Sequence, residues 1–104
     1  MLRVYDVMIE ALKDLRPVVE CVEKKDLDLA RQMRRAASSV ALNIAEGSGS
    51  SAGTRTQRYR TALGSARETL ACIDVARALH GIAIDPQVES NVRLVSNTLR
   101  RVLM

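Results

Sequence analysis

Apolar side chains recur along this 104-residue chain at steps of four and three, the spacing that stacks them on one face of an α-helix. Val4, Met8, Ala11, Leu15, Val18 and Val22 form one such stripe and predict a first helix from about Leu2 to Glu23. Pro17 lacks an amide hydrogen and crowds the carbonyl four residues earlier, which predicts a kink between Lys13 and Pro17, with two shorter helices as the alternative. Asp26 or Asp28 is the expected N-cap of a second helix, with Leu29, Met33, Ala36, Ala37, Val40 and Ile44 on its buried face and Gly47 as its stop. The Gly/Ser-rich run 47–53 turns the chain, and Thr54 is the expected cap of a long third helix bearing Tyr59, Leu63, Ala66, Leu70, Ile73, Ala76 and Leu79. Asp85-Pro86, an N-cap followed by proline at the first helical position, opens a fourth helix with Val88, Val92, Val95, Leu99 and Val102. Four amphipathic helices with short connections predict an all-α, antiparallel up-and-down four-helix bundle, a single domain over residues 1–104.

The edges of two of these stripes are polar. Ser39, Asn43 and Glu46 line the edge of the second helix, and Ser65, Glu68 and Cys72 lie on a shoulder of the third. A polar group left unpartnered at a helix seam loses on the order of 1–3 kcal/mol, so these residues are expected to meet. The sequence therefore predicts an interhelical network of Ser39, Asn43, Glu46, Ser65 and Glu68, with Arg34, Arg35 or Arg67 compensating the carboxylates. Gly64, in the middle of the third helix, costs up to about 1 kcal/mol relative to alanine and is expected to sit against a closely packed neighbour.

Composition narrows the chemistry. Phe and Trp are absent and only Tyr5 and Tyr59 are aromatic, so base stacking and recognition helices of known type have no support. Cys21 and Cys72 lie within helical apolar patterns and are expected to be unpaired, small buried hydrophobes. His80, just before Gly81, reads as a C-terminal cap rather than a metal ligand, and no metal or cofactor site can be assembled from these residues. Residues 47–53 follow a helix and lack the Gly-Lys-Ser/Thr ending of a phosphate-binding loop. No nucleophile is paired with a base; an enzyme would need Glu46, Glu68 and His80 to converge. No apolar run reaches the roughly 20 residues needed to cross a bilayer, and the N-terminus carries no signal pattern, which together predict a soluble, cytoplasmic protein without a membrane partner.

Charge is distributed unevenly. Residues 1–30 carry five basic and seven acidic groups, residues 31–84 eight and three, and residues 85–104 three and two, giving −2, +5 and +1. Arg55, Arg58 and Arg60 crowd the start of the third helix, and Arg31, Arg34, Arg93, Arg100 and Arg101 complete the set of candidate contacts to nucleic acid or a partner protein. Binding through such residues alone would be electrostatic and indifferent to sequence.

The segments Gln32-Met33-Arg34-Arg35-Ala36-Ala37-Ser38-Ser39-Val40, Asn43-Ile44-Ala45-Glu46-Gly47 and Ala62-Leu63-Gly64-Ser65-Ala66-Arg67-Glu68 resemble those of a bacterial four-helix-bundle family. It includes the intervening-sequence proteins encoded inside 23S ribosomal RNA genes and the accessory variability determinants of diversity-generating retroelements. Pro17, and Ala41-Leu42 where many members carry a proline, depart from the pattern. The resemblance implies a non-catalytic homo-oligomer, described for family members as a homopentamer, and binding of RNA, DNA or a reverse transcriptase in the retroelement branch. A structural or protein-interaction oligomer with no nucleic-acid role is the alternative.

Overall fold

The computed structural model describes residues 3–104. It contains α1 (Val4–Lys25), α2 (Leu27–Ser48), α3 (Ala52–His80) and α4 (Pro86–Val102), with no strand among the described residues. Leu2, expected as the first helical residue, lies outside them. Asp26 alone joins α1 to α2, and residues 49–51 and 81–85 make the other connections, so each helix reverses the direction of the one before it. α2 and α4 each pack on both α1 and α3, α1 and α3 touch across the diagonal, and α2 and α4 do not meet. This is the antiparallel up-and-down bundle, 42 Å long, the length that the 29 residues of α3 span at about 1.5 Å each.

The core follows the apolar stripes closely. Met8, Leu15, Val22, Met33, Val40, Ile44, Ile73, Val92, Val95 and Leu99 are fully buried, and Tyr59 is 3% exposed. Several positions differ from the expectation. Val19 rather than Val18 is buried, Ala62 and Thr69 are fully buried in α3 while Leu63 and Leu70 are only partly so, and Leu79 and Val102, near the ends of α3 and α4, are 66% and 47% exposed. Ile82 and Ile84, in the connection after α3, close the bottom of the core instead. Helical periodicity cannot reveal residues that lie outside a helix.

The ends of the helices have separate local causes. Asp26 caps α2 by accepting the Leu29 amide at 3.0 Å, and Asp85 caps α4 by accepting the Gln87 amide at 2.9 Å, with Pro86 first in the helix. Ser51, not Thr54, occupies the cap position of α3; its carbonyl accepts from Arg55 N–H at 2.8 Å, while Thr54 already lies in the first turn. α3 ends at Gly81, whose φ of 62° only glycine adopts freely. There the Ile82 amide reaches back to the Ala76 carbonyl at 3.4 Å and the Gly81 amide to Arg77 at 3.0 Å, a turn that seats Ile82 in the core. α1 runs through Pro17 as one helix; the proline is exposed, so water can serve the carbonyl it strands.

Two glycines depart from their expected roles. α2 continues through Gly47 to Ser48, and a Cβ at Gly47 would lie 2.6 Å from Tyr59 Cε1 and 3.1 Å from Arg58 Cβ. Gly47 is thus the close approach between α2 and α3, not the helix stop. At Gly64 a Cβ would meet nothing within 4 Å, and the residue faces outward. Packing within the chain therefore does not account for it.

Candidate functional site

The α2–α3 seam gathers part of the anticipated polar set. Ser65 Oγ donates to Ser39 Oγ at 2.8 Å, and Asn43 Nδ2 donates to the Ser39 carbonyl at 2.9 Å and lies 3.0 Å from its hydroxyl. Arg58 links the next turn, 3.1 Å from Glu46 Oε2 and 3.5 Å from Asn43 Oδ1. Ser48 Oγ and the Tyr59 hydroxyl close the seam at 3.0 Å. Glu68 is not in this chain of contacts. It is exposed one turn beyond Ser65, beside a shallow groove lined by Asp26, Asp28, Gln32 and Cys72, because a residue three positions on has rotated off the seam. Of the proposed compensating arginines, Arg34 pairs instead with Glu23 of α1 at 2.8 Å, and Arg58, not singled out for that role, takes Glu46.

At the opposite end, His80 Nε2 meets Asp26 Oδ2 at 2.9 Å, so the side chain that caps α2 also ties down the C-terminus of α3. The His80 hydrogen bond and then the Leu29 amide hold the Asp26 carboxyl below its usual range. Glu89 is likewise held low, first by Arg77 at 2.7 Å and then by Arg93 at 3.1 Å, while Arg77 also donates to the Ile84 carbonyl at 3.1 Å. Cys72 is buried and its thiol is pushed up by burial, with Glu68 adding to the shift; Cys21, expected inside, is exposed because α1 turns it away from the core. Both cysteines are free.

These placements separate the acids an active site would have needed. His80 bonds Asp26 at one end of α2, and Glu46 lies 20 residues on, about 30 Å along the helix. Glu68 lies between the two levels on another helix. Among the described residues, no group of three His, Cys, Asp or Glu side chains could hold a metal ion, and no helix is long and apolar enough to cross a membrane.

The arginines are arranged more systematically. All eight candidates are exposed. Arg31 and Arg34 lie on the outer side of α2, where Arg35 joins them. Arg77 contacts Glu89 across the α3–α4 seam, and Arg67 and Arg60, ten and seventeen residues earlier, lie about 80–100° further round α3 toward its exposed side. On α4, Arg93 and Arg100 follow Glu89 on the flank that faces α3. Because the helices are antiparallel, Arg67, ten residues before Arg77, stands level with Arg100, eleven after Glu89. The helix segments at this end of α3 and α4, 52–67 and 90–104, contain no Asp or Glu. They hold seven arginines, of which Arg58 and Arg93 are in ion pairs. Arg55 donates to the Ser50 carbonyl, Arg100 to Asn97 and Arg101 to Thr98, all neutral acceptors. Arg67 belongs to this surface, and its place was readable from the acid-free runs and the seven-residue step.

Comparison with known proteins agrees with this architecture. No curated protein matches the chain. A crystal structure of a protein of unknown function from the S23 ribosomal protein family of Bacteroides thetaiotaomicron superposes with a TM-score of 0.81, covering 96% of this chain and 97% of that one at 20% identity, which shows a shared fold. The description of the 23S rRNA-intervening sequence proteins matches residues 1–101, nearly the whole four-helix sequence, and the chain belongs to that family.

Proposed function

We propose that this protein is a non-catalytic homo-oligomeric binding module that presents arginines to nucleic acid or to a nucleic-acid enzyme. The observation that carries the proposal is the pair of acid-free segments, 52–67 of α3 and 90–104 of α4, five of whose seven arginines have no carboxylate partner. Uncompensated cations on rigid helices attract polyanions, and a ring of copies would multiply the field. The resemblance to accessory variability determinants suggests a homopentamer and a reverse transcriptase as protein partner. With its two tyrosines buried or half-buried, the protein has no stacking platform, so binding is sequence-indifferent and falls with salt. Three phosphate contacts would weaken duplex binding by roughly 40-fold between 50 and 200 mM salt.

A protein-interaction oligomer is the second reading. It is favoured by Leu42 and Leu79, large apolar side chains 63% and 66% exposed. Light-scattering mass with absorbance at 260 nm, followed by mobility shifts over a salt series, separates the two. Affinity for RNA or DNA at low ionic strength supports the first, and its absence for structured RNA, single strands and duplex DNA alike leaves the second.

A further inference from the structure

We infer that the line Arg60–Gly64–Arg67 of α3, with Arg100 of α4 beside it, is the contact surface for the phosphate backbone of helical RNA. The inference rests on the nucleic-acid reading above and specifies where and what that surface binds. Gly64 falls four residues after Arg60 and three before Arg67, which brings it onto the same strip of the helix surface as the two arginines. It is exposed, a Cβ there would touch nothing within 4 Å, and its φ lies outside the range that requires glycine, so neither packing nor backbone conformation calls for it. What it does is leave bare backbone between two cations about 10 Å apart along the axis.

A bulky residue at that point would hold a phosphodiester chain away from both guanidinium groups; a glycine lets it lie flush. Opposite, Ser96 sits between Arg93 and Arg100 on α4, the same alternation of cation, small residue and cation running the other way. No Asp or Glu lies within 52–67 or 90–104; the nearest acids are Glu68, which follows Arg67 directly and stands four residues after Gly64, and Glu89. The resulting surface is flat, cationic and without aromatic rings. It suits the wide, shallow minor groove of an RNA helix, where phosphates flank a row of 2′-hydroxyls that short polar side chains can reach, better than single strands, which require stacking.

The test uses the full chain and a fluorescently labelled 20-base-pair RNA hairpin at 50 mM salt, read by anisotropy, with light-scattering mass measured for each variant. Arg60→Gln/Arg67→Gln/Arg100→Gln is expected to weaken binding by roughly tenfold or more and to lower the salt slope by about two to three. Gly64→Gln, which keeps every charge, is expected to weaken binding by about tenfold with no loss of thermal stability and no change in mass. Arg31→Gln/Arg34→Gln/Arg35→Gln on α2 is expected to stay within about threefold of the wild type. Wild-type affinity for the hairpin combined with unchanged binding by Gly64→Gln, or with an equal loss from the α2 triple variant, would overturn this surface while leaving the functional reading standing. Equal or tighter binding of a duplex DNA of the same length would overturn the assignment to RNA. A changed mass for Gly64→Gln would make the strip a contact between copies and overturn it as well. No hairpin binding by the wild type at all defeats the functional reading itself.

Discussion

Replacing Gly47 with alanine tests whether the glycine is there to stop α2 or to admit Tyr59. An added Cβ would stand 2.6 Å from Cε1 and 2.8 Å from Cδ1 of the Tyr59 ring. Ordinary carbon contacts begin near 3.5 Å, so the ring must retreat by most of an ångström. It has little room, being 3% exposed with its hydroxyl held to Ser48 at 3.0 Å. Overpacking of this kind costs about 1–3 kcal/mol, whereas alanine in mid-helix gains up to about 1 kcal/mol over glycine. The net loss is about 1–2 kcal/mol, or a fall in Tm on the order of 5–15 °C for a chain of this size. Thermal melting by circular dichroism, at fixed protein concentration, measures it. The same substitution in a Tyr59→Leu background removes the ring and should restore the helix-propensity gain, so the two changes are coupled rather than additive. If Gly47→Ala melts at or above the wild-type temperature, or costs the same with and without the ring, the close-approach explanation is wrong.

The other expectations are smaller. Gly64→Ala should raise stability by about 0.5–1 kcal/mol in the same melts, since its Cβ enters open space. Ser65→Ala removes the donor to Ser39 and should cost about 0.5–1.5 kcal/mol in urea denaturation, while Glu68→Gln, exposed and outside the seam contacts, should change it by less than about 0.5 kcal/mol. Asp26→Asn should be destabilising at neutral pH and progressively less so in acid. The native carboxyl is held below its ordinary value of 3.8, so its contribution is complete above that value and disappears as pH falls through the lower native one; parallel unfolding curves from pH 7 to pH 2 should converge. Arg77→Met should cost about 0.5–1.5 kcal/mol, because the Ile84 carbonyl loses its donor while Glu89 keeps Arg93.

The bundle was legible because burial follows periodicity. Each helix needs one apolar face, and the four-three steps from Met8 to Leu99 select nearly every fully buried residue. Caps with a dedicated chemistry, Asp26 and Asp85, were equally readable. What failed was anything set by the neighbour opposite rather than by the strand of sequence itself. Glu68 has the right residue type for a seam partner, but the rotation between Ser65 and Glu68 carries it off the Ser39–Asn43 contacts to an open groove beside Asp28 and Gln32. Arg58 became the partner of Glu46 because α3 starts alongside the end of α2, which no spacing within either helix expresses.

Glycine is the limiting case of this rule, since it has no side chain whose polarity could report its surroundings. Gly47, followed by more glycines and serines, has the local look of a terminus, and Gly64, amid good helix formers, has the look of a packing site. Across the seam the opposite is true: Tyr59 fills the space at Gly47, and nothing fills the space at Gly64. The first is a requirement of the fold, explained within one chain. The second weakens a helix for no benefit inside the chain, and it does so between two arginines, in a segment, 52–67, that contains no carboxylate. An unfavourable residue that the fold does not need is informative about what lies outside the fold, which is why Gly64, rather than the polar seam, is the residue on which the search for a ligand should turn.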